Sequence, residues 1–302
     1  MSKKVKAFAK INIALNVIGE SNGYHILDSV VTTVNKYDLI IASKRKDNKI
    51  LITFTGKYAE NPIRQEETNA YKSAKLFMDT FNTKGANIEV VRNIPTGSGM
   101  GGSSADIAGV LGVLKKLYKT QGKLKPLADS LGSDSGYLLK GGYARLTSRG
   151  EVVEYLNSDL TLYFVVIYAK SGVNTKECFK KFDELGESGL ISDIDSVVKG
   201  VQNGSLAKLK NNVNNALTKP AIILNKEVDD NLNYLKSLSP DYYSMTGSGS
   251  TVFSIYENYE MASWAVDTLK KKYNLDAELL INVDLKKPNI FDLLFDNLIN
   301  ED

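Results

Sequence analysis

The chain has 302 residues, 43% hydrophobic and 24% charged, with 38 basic against 35 acidic side chains for a net charge of +3. Length and composition are those of a globular protein with room for two ordinary domains, and the charge excess is too small to suggest a nucleic-acid partner. One cysteine, Cys178, excludes an intrachain disulfide or a multi-cysteine zinc site and suits a reducing cytoplasm, and one histidine, His25, excludes histidine-rich metal centres.

Alternation at Ile11, Ile13, Leu15 and Val17, then β-rich runs around Val30–Val34, Leu39–Ile41 and Ile50–Ile52, predict strands over about Val5–Thr53. Gly19-Glu20-Ser21-Asn22-Gly23 is the first turn. Lys10 and Asn12 interrupt the apolar stretch after Lys3-Lys4-Val5-Lys6, which removes a signal-peptide reading. Nowhere does an apolar run of about 18 residues offer a membrane span. A helix is predicted over Asn69–Phe81 and a strand over Ile88–Val91. Then comes a glycine-rich loop, Pro95–Ser104, and a helix whose Ile107, Val110, Leu111, Leu114 and Leu117 form one stripe. Leu124–Leu131 reads as a helix ending at Gly132, and Tyr143–Leu146 with Val152–Leu156 as a hairpin.

A second set opens with strand Leu162–Ile167. Helices follow over Glu177–Leu185, Ser196–Leu209 and Val228–Leu238, then a second glycine loop, Met245–Ser250. Strand Val252–Ile255, helix Ala262–Tyr273 and strand Glu278–Val283 close the set. The tail from Lys286 is partly amphipathic through Ile290, Leu293, Leu294 and Leu298. A boundary near 155–160 divides the chain into domains 1–157 and 158–302.

The most informative segment is Pro95-Thr96-Gly97-Ser98-Gly99-Met100-Gly101-Gly102-Ser103-Ser104. Glycine admits positive-φ backbone and close approach to a ligand, so consecutive N–H groups can converge as an anion nest. Ser103 or Ser104 is placed to cap the next helix, whose positive end attracts phosphate. A flexible linker is the plainer alternative, but linkers rarely sit between a strand and a strongly periodic helix. The loop lacks the Lys-Ser/Thr ending of a P-loop and the βαβ context of a dinucleotide fingerprint.

Three segments together resemble the GHMP kinases: Phe8-Ala9-Lys10-Ile11-Asn12, the loop above, and Met245-Thr246-Gly247-Ser248-Gly249-Ser250. Within that superfamily, Ala9–Asn12 followed by Gly23-Tyr24-His25 is similar to the 4-diphosphocytidyl-2-C-methyl-D-erythritol kinase family. So are Gly132-Ser133-Asp134, the Gly141-Gly142 and Gly150-Glu151 steps, and Thr175–Phe179. The likeness runs over roughly residues 5–285. It implies an α+β, two-domain GHMP kinase fold, with a ribosomal-protein-like N-terminal domain and a ferredoxin-like C-terminal domain. It also implies ATP and Mg²⁺, no dedicated metal ligand, and a cytidine diphosphate alcohol as substrate, phosphorylated on its 2-hydroxyl in the non-mevalonate isoprenoid pathway. Nucleic acid and membrane are not expected partners, and the protein is expected as a monomer or homodimer.

The resemblance assigns Asp134 as catalytic base, and Lys10 as the cation that keeps it ionised and stabilises alkoxide charge. Without the resemblance, Lys10 reads better as an edge-strand lysine that blocks aggregation than as a catalytic group. Tyr24 and His25 are expected to hold the cytosine, with Phe179 as a second wall and Asn12, Thr175 and Gly247 as further substrate contacts. Asn69 is expected near the adenine, although helix capping explains it equally well. Two departures stand out: the loop is one residue shorter before its serines and one longer before Asp106, and Ser135-Gly136 replaces the proline usual two residues past the aspartate.

Other readings keep the fold with a different substrate (homoserine, mevalonate or phosphomevalonate type, or a diphosphomevalonate decarboxylase) or change the class. Gly19–Gly23 fits a nucleophile-elbow string, but β-rich sequence follows it where a hydrolase needs a helix. An RNA-binding module is disfavoured by the near-neutral charge.

Overall fold

The computed structural model describes residues 2–60 and 64–283. The amphipathic tail from Lys286 lies outside the described residues. The chain opens with a long antiparallel hairpin, β1 (Ser2–Ser21) and β2 (Tyr24–Lys44). Asn22 and Gly23, at φ 53° and 74°, turn it. That is the two-residue Asn-Gly turn with positive φ at both positions, whose twist matches the strands. The turn is therefore tighter than the five-residue one expected from Gly19, because Gly19 remains in β1 beside a register shift. Two more shifts fall between Phe8 and Lys10 and between Asn12 and Ala14. Such irregularities re-aim side chains, and here they bracket Lys10 and Asn12.

β3 (Leu51–Thr55) runs parallel to β4 (Ala86–Val91) through the crossover helix α1 (Asn69–Phe81). β4 pairs with the later half of β2, and β5 (Ala144–Ser148) with its earlier half. β6 (Val152–Tyr155) closes the sheet, giving the order β3-β4-β2-β5-β6 with β1 along the other side of β2. α2 (Gly102–Tyr118) packs on β1 and β2 with the predicted stripe buried. α3 (Lys125–Leu131) and the short α4 (Ser135–Leu138) follow.

The second sheet has the order β10-β7-β9-β8, all antiparallel, from β7 (Tyr163–Ile167), β8 (Tyr242–Met245), β9 (Val252–Tyr256) and β10 (Ala277–Ile281). With helices between β7 and β8 and between β9 and β10, this is the ferredoxin-like arrangement. Those helices are α5 (Thr175–Leu185), α6 (Ile194–Gln202), α7 (Thr218–Leu224), α8 (Lys226–Ser237) and α9 (Tyr259–Tyr273). The helix expected over Ser196–Leu209 is broken: α6 stops at Gln202, Gly204 takes φ 64°, and Leu206–Leu209 is a 3-10 turn.

The two sheets share buried surface. Phe164, Val166 and Phe253 of the second sheet belong to the same apolar cluster as Ile11, Ile13 and Val31 of the first. α2 approaches its sheet closely at Gly109, where a Cβ would lie 2.6 Å from Ile40 Cγ1 and 2.8 Å from Ala7 Cβ. Gly109→Val should therefore lower unfolding free energy by about 2 kcal/mol through overpacking. Urea denaturation of the two proteins checks this.

Candidate active site

Lys10 and Asn12 point from the same side of β1 into one cavity of about 380 Å³. Lys10 is only 4% exposed, and its Nζ lies 3.6 Å from Asp134 Oδ2 and 2.5 Å from Asn12 Oδ1. Burial lowers the ammonium pKa, and the neighbouring Asp134 carboxylate opposes that shift. Asp134 enters from the junction of α3 and α4, just past the Gly132 cap. Behind it, Gly150 comes so near that a Cβ there would sit 3.0 Å from Asp134 Oδ1.

Gly97, Gly99 and Gly101 take φ of 66°, 75° and 78°. Positive φ at every second residue folds the chain into a cup able to collect its N–H groups around an anion. α2 begins at Gly102, and its first N–H groups lack intrahelical carbonyls. The expectation that Ser103 or Ser104 caps this helix is corrected. Gly101 is the N-cap without a side-chain bond, and both serines lie inside the first turn. Pro95, Thr96, Gly97, Ser98, Gly99, Gly101, Gly102, Ser103 and Ser104 all line the cavity, while Met100 is fully buried and anchors the loop in the core.

The second glycine loop docks on the first. Ser250 N donates to Gly97 O at 3.2 Å and Thr251 N to Ser98 O at 3.1 Å. A Cβ on Gly99 would lie 2.1 Å from the Thr246 carbonyl oxygen, and one on Gly247 would lie 2.6 Å from the Gly99 carbonyl oxygen. Two backbones in this contact leave no room for side chains. Asn12 joins the assembly: its Oδ1 accepts from Gly247 N at 3.0 Å, and its Nδ2 donates to Ser29 Oγ at 2.8 Å. The Asn12 amide is thus spent on protein partners, although it borders the cavity.

Arg92, Asp106 and Asp38 form a charged cluster on the cavity wall. Arg92 Nη2 donates to Asp106 Oδ2 at 2.7 Å, and Asp38 Oδ1 accepts from Asn93 N at 2.6 Å and Ile94 N at 2.8 Å. Asp106 Oδ1 is buried without a partner. Burial pushes the Asp106 carboxyl up to about 7, outweighing the attraction of Arg92. Their separation along the chain hides the cluster from a sequence reading. Only the placement of Asp106 in the first helical turn was visible.

The chain matches two family models, "GHMP kinases N terminal domain" over residues 68–143 and "GHMP kinases C terminal" over residues 197–275. It is 34% identical over 275 residues to a Clostridium beijerinckii protein named 4-diphosphocytidyl-2-C-methyl-D-erythritol kinase, covering 89% of this chain and 96% of the relative. The chain belongs to the GHMP kinases. A Clostridium tetani relative of the same name is 34% identical over 281 residues, covering 90% and 97% of the two chains. The fold agrees with a crystal structure of 4-(cytidine 5'-diphospho)-2C-methyl-D-erythritol kinase at TM-score 0.76 and 24% identity, covering 93% of this chain and 99% of that one. It also agrees with homoserine kinase from Cytophaga hutchinsonii at TM-score 0.73 and 19% identity, covering 94% and 95%.

In this GHMP kinase the remaining anticipated residues fall into two groups. Thr175, Phe179 and Gly247 line the cavity, with Thr175 Oγ1 2.9 Å from Ser248 Oγ. Tyr24 and His25 stand one layer out, each against a lining residue. His25 stacks on Phe179 with ring centroids 4.6 Å apart, and its Nε2 lies 2.7 Å from Asp183 Oδ1. Tyr24 is 56% exposed, with the Arg149 guanidinium 4.8 Å from its ring centroid. Asn69 is outside the lining, and its Nδ2 reaches Ser103 O at 3.5 Å. Thr68, not Asn69, caps α1 by accepting from Tyr71 N, which removes the capping explanation of Asn69. Among the described residues no helix is long and apolar enough to cross a membrane, and no group of three or more His, Cys, Asp or Glu is placed to hold a metal ion.

Gly99→Ala forces a left-handed alanine into the Thr246 carbonyl, so kcat/KM for ATP should fall by about tenfold or more. Steady-state kinetics at saturating second substrate tests this. Asp106 supplies a pH signature as well. Its folded pKa lies above its unfolded value, so the folded state holds the extra proton and stability falls as pH rises from about 4 to about 7. Asp106→Asn should flatten that slope, as read by melting temperature across the same window.

Proposed function

We propose that this GHMP kinase transfers the γ-phosphoryl group of ATP to the 2-hydroxyl of 4-diphosphocytidyl-2-C-methyl-D-erythritol, a step of non-mevalonate isoprenoid synthesis. The observation that carries the reading is the Lys10–Asp134 pair, 3.6 Å apart, in the same cavity as the glycine cup. The names of the Clostridium relatives supply the substrate.

In this reading the N–H groups of residues 97–104 and the positive end of α2 cradle the ATP phosphates. Asp134 orients the acceptor hydroxyl and takes its proton. Lys10, paired with that carboxylate, offsets charge that develops on the attacking oxygen. Phosphoryl transfer needs little more than such positioning. We divide the chain into domains 1–157 and 158–302, a reading supported by the interval between β6, which ends at Tyr155, and β7, which begins at Tyr163.

Mg²⁺ fits the cavity as a passenger of the nucleotide. The Ser103 and Ser104 hydroxyls and the unpartnered Asp106 Oδ1 are hard oxygen donors on its wall, and magnesium is commonly held by one or two carboxylates plus substrate phosphates. When bound, the ion neutralises charge on the phosphates.

We place the protein in the cytoplasm, as a monomer or homodimer. The single thiol, Cys178, is buried and its pKa is pushed up to about 12, which keeps it out of the chemistry.

Turnover of 4-diphosphocytidyl-2-C-methyl-D-erythritol, compared with homoserine, mevalonate and phosphomevalonate, tests the substrate. Asp134→Asn and Lys10→Ala should each lose about a hundredfold or more in kcat while keeping ATP affinity. Wild-type activity in either variant removes these roles.

A further inference from the structure

Arg149 has no part in the chemistry above, yet it borders the cavity beside Ser133, Asp134 and Phe179. It sits on the turn joining β5 to β6, which is fixed from below by Glu151. Glu151 Oε2 accepts from Arg149 N at 2.8 Å and Glu151 Oε1 accepts from Ser148 Oγ at 3.0 Å. The Arg149 guanidinium lies on the face of Tyr24, 4.8 Å from the ring centroid. Its ion-pair partner among the described residues is Glu151, at 3.6 Å, and its side chain is 47% exposed.

The cavity's other cations are committed. Lys10 faces Asp134, and Arg92 is bonded to Asp106 at 2.7 Å. Arg149 therefore keeps most of its five N–H donors for a ligand, with its plane fixed by the tyrosine ring. Its place along the cavity narrows the ligand further. The next residue, Gly150, packs against Asp134, while the guanidinium rests on Tyr24. Arg149 thus lies between the carboxylate expected at the acceptor hydroxyl and the aromatic cluster of Tyr24, His25 and Phe179.

We propose that Arg149 is the specificity-determining contact for the diphosphate bridge of the acceptor substrate. The inference rests on the proposed substrate class. In a nucleoside diphosphate alcohol the diphosphate is covalently placed between the base and the polyol, the interval that Arg149 occupies. A guanidinium fork meets a phosphate with two parallel charge-assisted hydrogen bonds. A polyol without phosphate has no anion to offer it at that point.

The test uses CDP and cytidine as probes, titrated calorimetrically into the full-length protein saturated with a non-hydrolysable ATP analogue. Wild type should bind CDP more tightly than cytidine. Arg149→Gln should weaken CDP by about tenfold or more and leave cytidine unchanged. Arg149→Lys, which keeps the charge but not the fork, should fall between them. Kinetics should show a raised KM for the diphosphocytidyl alcohol, with kcat and the KM for ATP kept. Equal CDP binding in wild type and Arg149→Gln overturns the inference and leaves the proposed function standing. An equal loss for CDP and cytidine also overturns it, because Arg149 would then act only through the Tyr24 ring. If wild type neither binds CDP nor turns over the diphosphocytidyl alcohol, the substrate reading fails and takes this inference with it.

Discussion

Two stretches of bare backbone lie against each other at the centre of this kinase, and the site depends on that contact. The N–H groups of Ser250 and Thr251 donate to Gly97 O and Ser98 O. Side chains at Gly99 or Gly247 would collide with carbonyl oxygens of the opposing loop. A density of glycine that suggests room for phosphate therefore has two causes here. The outer face of the first loop is shaped as a cup, and its inner face must accept a second chain at backbone distance. The glycines thus serve the packing of the two loops as well as the shape of the cup.

Asn12 extends this contact into β1. One side-chain amide touches the Lys10 ammonium, the Gly247 N–H and the Ser29 hydroxyl. Lys10 N also donates to Met100 O at 2.9 Å, so the strand and the first loop are fixed at both backbone and side chain. Buried polar groups that satisfy one another in this way rigidify a site, while a single missing partner leaves a costly unpaired donor. The position of the lysine is thus set by the two loops as much as by its own strand.

Much of the fold was legible because local chemistry and tertiary role agree. The stripe from Ile107 to Leu117 made α2 plain, and strand Leu162–Ile167 is apolar on both faces because the sheet is covered on both. α7 was missed because Pro220 looks like a breaker, although proline is tolerated in a helix's first turn. β8 was missed because Tyr242–Met245 is too short to show a period. At the site, the glycine loop and the lysine inside an apolar strand stood out as local anomalies. The Arg92–Asp106–Asp38 cluster and Arg149 did not, since an ordinary charged residue acquires meaning only when the fold brings its partners to it. Asn12 was legible as a residue of the site, but its bonding to the late loop was not.

The apolar cluster shared by the two sheets limits how this enzyme can move. Many kinases swing two lobes about a hinge when ligands arrive. Here Phe164, Val166 and Phe253 are buried together with Ile11, Ile13 and Val31, so separating the halves would open the protein's own interior to water. The walls of the cleft are therefore held by the same interior that joins the two sheets, and its shape is set by the packing that keeps the protein folded.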